Sequence, residues 1–139
     1  MASHWALTIT RLPTEIRLLL LFIAIESVED TFARAKSIPY SKGYFRKPPT
    51  RPGKPGATYG FEAFLLKMFA DVGMRTGVKR IVQLRNEIIH SGLSRKPHSR
   101  QWAMYERIHD LVREYIIRLL RYHGGYLTYA SQGNRAVKI

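Results

Sequence analysis

The sequence predicts an all-α fold, an up-and-down bundle of four to five helices with a long basic Pro/Gly-rich loop between the first two main helices. Three observations predict it. Apolar residues recur at helical spacing through most of the chain. Helix-breaking residues gather in one stretch instead, with five of the seven prolines and four of the ten glycines between 37 and 60. The length of 139 residues suits one domain, and a chain of that size buries about 68% of its unfolded surface, enough for one core without staples. The expected domain spans 1–139, with its core at about 13–123, the loop at 37–60 and a polar tail at 124–139.

The first helix is expected from about Pro13 to Lys36, with Pro13 in its first turn and Glu15 complementing the N-terminal dipole. Its middle, Leu18 to Ile25, is apolar all round, the pattern of a central buried helix. From Ser37 to Gly60 no helix is expected, because proline lacks the amide donor and glycine costs backbone entropy. A structureless insert of that length inside a small domain is usually functional or disordered. A second helix covers Phe61 to Val72, broken by Gly73 and Gly77. A third runs from about Val78 to His90, with Gly92 where a left-handed C-terminal cap is expected. Ser99 is the expected N-cap of the fourth, Arg100 to His123, which Gly124 and Gly125 end. Its apolar half-wheel runs from Met104 and Tyr105 to Leu119, Leu120 and Tyr122. Trp5–Thr10 and Tyr126–Ala130 have strand character.

Composition narrows the function classes. No cysteine is present, which excludes disulfides and thiolate metal sites and fits a reducing compartment. The eight-residue apolar run Leu18–Ile25 is far short of the ~20 residues that cross a bilayer. It also lies too deep for an ordinary signal peptide. A soluble, cytoplasmic protein without a membrane partner is expected. The net charge is +13, and residues 37–60 hold five bases and no acid. Such an excess points to a polyanion, nucleic acid before an anionic membrane. Solubility alone is the bland alternative.

The third helix contains the anomaly. With Val78 at zero, Ile81, Val82, Leu84, Ile88 and Ile89 form an apolar stripe, and Arg85 falls at about 340°, inside it. An arginine there needs an anion, because an unpaired buried charge costs several kcal/mol. It either meets a phosphate or pairs with Glu26, Glu29 or Asp30 of the first helix. Asn86 and His90 flank the stripe one turn apart, with His90 at the helix C-terminus, where the dipole favours an imidazolium. Arg85 and His90 lie about 140° apart, so one protomer cannot easily aim both at one phosphate. A two-fold dimer packed along this helix presents each residue twice beside the axis.

Leu84-Arg85-Asn86-Glu87-Ile88-Ile89-His90-Ser91-Gly92 resembles the signature of the HEPN superfamily: Arg, a polar residue, spacers, then His. The local wording looks closest to HEPN domains at the C-terminus of bacterial anti-phage proteins of the ApeA-like kind. The resemblance implies a homodimer with a composite Arg85/Asn86/His90 site that cleaves RNA without metal or cofactor, leaving a 2′,3′-cyclic phosphate and a 5′-hydroxyl. In that setting His90 works as general base or acid, Arg85 holds the scissile phosphate, and Asn86 orients either group. A toxin or defence effector of this type takes an antitoxin or an upstream sensor domain as a further partner. Gly92 stands where some family toxins carry a modifiable tyrosine, so silencing by nucleotidyl transfer is not expected.

Lys79, Arg80, Arg95, Lys96 and Arg100 flank the motif and are the expected phosphate-backbone contacts, or else a solvated basic face. Tyr40, Tyr44, Phe45 and Tyr59 interleave with bases in the loop, suited to stacking on RNA or to packing on the bundle. His109 and His123 read as boundary residues. No grouping has metal-ligand spacing, and no P-loop or nucleophile elbow occurs. Two other readings compete with the enzyme: a non-catalytic HEPN-like module that dimerises or binds RNA, and a helix-turn-helix DNA binder turning at Gly73–Gly77. The second is weakened by the apolar stripe that makes its reading helix a core element.

Overall fold

The computed structural model describes residues 12–74, 78–91, 97–128 and 136–138. Four helices dominate: α1 (Thr14–Ala35), α2 (Phe61–Asp71), α3 (Val78–Ser91) and α4 (His98–Leu119). Each follows its apolar periodicity. Leu18, Phe22, Ile25 and Phe32 of α1 meet Phe64, Leu65, Met68 and Phe69 of α2. Ile81, Leu84 and Ile88 of α3 and Ile108 and Tyr115 of α4 complete the core. The fold is thus an all-α bundle. Among the described residues no helix is long and apolar enough to cross a membrane.

The senses of the helices correct one part of the expectation: the all-α bundle is not up-and-down, because three of its four helices run the same way. Phe32 meets Phe64, and Lys36 pairs with Asp71 at 2.8 Å, so contacts advance together along α1 and α2. These two helices run the same way, and the 37–60 segment is the long crossover that permits it. The short connection after Asp71 then turns α3 back, carrying Arg85 to Phe61 at the start of α2. Thr14 meets His98, and Arg17 lies over Trp102, so α4 runs with α1.

The crossover is folded, which corrects the expectation of a structureless insert. Lys42 and Gly43 both have positive φ and join β1 (Tyr40–Ser41) to β2 (Tyr44–Phe45) in a tight hairpin; such turns match the strand twist. The chain then returns along the hairpin: the Tyr59 N–H donates to the Phe45 carbonyl at 2.9 Å, and the Lys47 N–H to the Ala57 carbonyl at 2.8 Å. Gly56 makes this pass possible, since a Cβ there would stand 1.7 Å from the Lys47 carbonyl oxygen. Phe45 and Tyr59 pack on Phe64 with ring centroids 5.5 and 4.9 Å away, while Tyr40 and Tyr44 stay exposed. Local prolines exclude helix here, but backbone pairing and two aromatic contacts with Phe64 replace it.

Other expectations shift. α1 is not buried all round, because Ile16, Leu20 and Ile23 face outward. Helix α4 begins at His98 rather than after Ser99: Pro97 takes the N-cap place with an extended ψ of 147°, and its carbonyl accepts the Arg100 and Gln101 N–H groups. It also ends before Gly124, because Arg121 adopts φ 55° and the Tyr122 N–H returns to the Ile117 carbonyl. Ile116, Leu119, Leu120 and Tyr122 are exposed instead of completing the apolar half-wheel. Part of the C-terminal tail is strand, with β3 (Gly125–Leu127) antiparallel to β4 (Ala136–Lys138). The expected strand character at Trp5–Thr10, the break at Gly77 and the cap at Gly92 lie outside the described residues.

Candidate functional site

The core side of α3 is anchored by Ile81, Leu84 and Ile88, which fixes the rotation of the helix about its axis. Arg85, one position on from Leu84, therefore emerges at the seam with α1 and α2. Its side chain keeps 21% of its surface exposed. The guanidinium carbon stands 4.4 Å from the centroid of the Phe61 ring. Nε donates to Oε1 of Glu26 at 3.0 Å, and Nη2 donates to the same oxygen. Nη1 donates to Oδ1 of Asn86 at 3.2 Å. Of the three acids that could have met Arg85, Glu26 makes the direct pair; Asp30 instead bonds Arg34 at 2.7 Å.

Glu29 sits one turn beyond Glu26 and is buried, and its Oε1 has no hydrogen-bond partner among the described residues. Burial, reinforced by the neighbouring Glu26 carboxylate and opposed by Arg85, pushes its pKa from 4.5 to about 8. At neutral pH Glu29 is therefore mostly protonated. The cluster then carries one carboxylate, Glu26, against one cation, Arg85, and Glu29 does not compete for the guanidinium.

Asn86 and His90 are exposed. With Lys79, also exposed, they fall within about 40° of one another on the α3 wheel and form one solvent-facing stripe along the helix. Arg85 joins that stripe only through Asn86. The structure thus brings together Arg85 and Asn86 and sets His90 a turn further on, with Ile89 exposed beside it. Arg100 is exposed in the first turn of α4. Arg80 belongs to α3, its side chain lying outside the described residues, as do Arg95 and Lys96 altogether. His109 is half-buried against Tyr105, ring centroids 5.9 Å apart, and His123 is exposed. No group of three or more His, Asp or Glu side chains able to hold a metal occurs among the described residues.

Phe61 was not foreseen as part of this site. Its only sequence signal is being the first apolar residue of its helix; the contact with Arg85 depends on the crossover and the reversal of α3. No family model, curated protein or solved structure matches the chain.

Proposed function

We propose that the chain is a HEPN-type endoribonuclease domain, working as a homodimer without metal, in a toxin or an anti-phage defence effector. The observation that carries this reading is the Arg85–Asn86 bond at the edge of an exposed Lys79/Asn86/His90 stripe. Glu26 and Phe61 hold the guanidinium in place, and three of its five N–H donors are engaged, which leaves one on each terminal nitrogen for a phosphate oxygen. A planar cation so held stabilises charge growing on a pentacoordinate phosphate. His90, in water at a helix C-terminus, takes the proton of a ribose 2′-hydroxyl or delivers one to the leaving 5′-oxygen. Since Arg85 leans toward α1 while His90 faces solvent, a second copy completes the pair across a two-fold axis beside Ile89.

A second reading, a non-catalytic module that dimerises or binds RNA, is favoured by one fact: Arg85 already has a carboxylate partner within the protomer. Cleavage of single-stranded RNA separates the two. On the enzyme reading, Arg85→Ala and His90→Ala each lower the rate about 10²–10⁴-fold while the folded variants still bind RNA. EDTA leaves the wild type unchanged, and the products end in 2′,3′-cyclic phosphate and 5′-hydroxyl. Absence of cleavage with intact RNA binding selects the module. Activity that survives in folded His90→Ala and vanishes with EDTA refutes both assignments of the motif.

A further inference from the structure

A half-open cavity of about 370 Å³ lies among the C-terminal part of α1, the outer side of α2 and the crossover, lined by Phe32, Lys36, Arg46, Tyr59, Lys67 and Asp71 among others. Because α3 runs against α1, this cavity is at the far end of the bundle from His90. Its charge is unbalanced. Lys36 pairs with Asp71 at 2.8 Å, which leaves the Arg46 and Lys67 cations without a carboxylate among the lining residues. Arg46 is set in place by its backbone, whose N–H donates to the Pro39 carbonyl at 2.8 Å and whose bridge partner is Thr58. Its side-chain Nε is shut from solvent with no acceptor among the described residues. That atom is itself out of a ligand's reach, but the rest of the half-buried Arg46 side chain lines the cavity with no ion pair among the described residues, so its charge there is unanswered. The remaining walls are apolar or aromatic, from Phe32, Tyr59, Ile38 and two prolines.

We propose that this cavity binds a phosphate monoester carried on an apolar or aromatic body. The lining holds three cations and one carboxylate, a net charge of +2. A phosphate monoester carries about −1.5 to −2 at pH 7 and offers three acceptor oxygens to Arg46 and Lys67. A carboxylate would neutralise one cation and strand the other. The apolar walls receive the body, and the volume lies near the lower end of the range for small-ligand sites. The same chemistry has two sources, a free phosphorylated small molecule or the 5′-phosphate end of an RNA strand. The site is independent of Arg85 and His90, so it stands or falls apart from the proposed cleavage.

The test titrates the full chain, at fixed ionic strength, with a nucleoside 5′-monophosphate, the same nucleoside unphosphorylated, and two short oligoribonucleotides of one sequence, one 5′-phosphorylated and one 5′-hydroxyl. Binding is read by calorimetry and by amide shifts around Arg46 and Lys67. The monophosphate is expected to saturate and the nucleoside not to. Arg46→Gln and Lys67→Gln should each weaken the monophosphate at least about tenfold, the loss of one charge-assisted hydrogen bond. Lys54→Gln, on the exposed part of the crossover away from the cavity, should change nothing. Lys67 is exposed, so its variant keeps the test valid if Arg46→Gln fails to fold. Preference for the 5′-phosphorylated over the 5′-hydroxyl strand identifies the RNA end as a source; equal strand binding together with saturable monophosphate binding identifies a free ligand. The proposal is overturned if the monophosphate fails to saturate, if the nucleoside binds as well, or if Lys54→Gln weakens binding as much as Lys67→Gln.

Discussion

Replacing Glu29 by Gln should remove a pH dependence of stability that the wild type carries. In the folded protein the Glu29 carboxyl, facing Glu26 on its own helix and Arg85 from α3, ionises only at about 8 instead of 4.5. Its folded pKa is raised, so the folded state binds more protons than the unfolded state between those values. The contribution is fully present below 4.5 and is lost as pH rises through about 8. The interval of about 3.5 pH units, at 1.36 kcal/mol per unit, sets an upper bound of about 5 kcal/mol. Glutamine keeps the size and neutrality of the protonated acid but cannot ionise in either state. Urea unfolding at pH 5, 6, 7, 8 and 9, followed by helical circular dichroism, should therefore show wild type and Glu29→Gln converging at acid pH. The variant should be the more stable by several kcal/mol at pH 9, with other titrating groups cancelling in the difference. Parallel stability curves across that range would refute the reasoning, because they would mean Glu29 ionises alike in both states.

Cleavage or not, RNA affinity should fall steeply with salt, with a log–log slope of about −0.7 per phosphate contact on single strands. Converting Lys42 and Arg51 to Gln should flatten that slope without unfolding the crossover, as a gel-shift series in rising salt would report. Excising Lys42–Lys54 is expected to destabilise the fold, because it removes Phe45 from Phe64; a thermal melt unchanged from wild type would count against that packing. Gly56→Ala should cost about 1–3 kcal/mol in chemical denaturation, since its methyl group would press on the Lys47 carbonyl 1.7 Å away. Ile89→Glu should leave the helical content intact yet abolish a dimer seen by light scattering, while a dimer that persists would move the axis away from the His90 end of α3.

The helices were legible because their evidence is local. The α3 stripe set its boundaries to within a residue and exposed Arg85 as the one charge on the wrong side. Which acid would meet it was not legible: Glu26, Glu29 and Asp30 share one acidic cluster, and only the rotation of α1 against α3 selects Glu26. Phe61 belongs to the same class, a contact made by topology. Inside the crossover, composition excluded helix but could not reveal the pairing of Phe45 with Tyr59, which is set by Phe64 beneath them. The apolar run of α1 misled in a different way, since hydropathy does not say which of Ile16, Leu20 and Ile23 will find a neighbour. Arg121 ended α4 through a left-handed backbone that its side chain does not announce.

The shared direction of α1 and α2 has a kinetic consequence. Joining α2 to α3 closes a connection of 6 residues, whereas joining α1 to α2 closes one of 25. With a closure cost near (3/2)RT ln n, the longer connection is dearer by about 1.3 kcal/mol, close to a factor of ten in the odds of first encounter. The α2–α3 hairpin, which brings Leu65, Met68 and Leu84 into the core, is thus the natural nucleus, and α1 docks onto it afterwards. Arg85 and Phe61 would then already be neighbours when Glu26 arrives. Mutational rate analysis should accordingly give high φ-values at Leu84 and low ones at Phe32, and equal values would reverse the order.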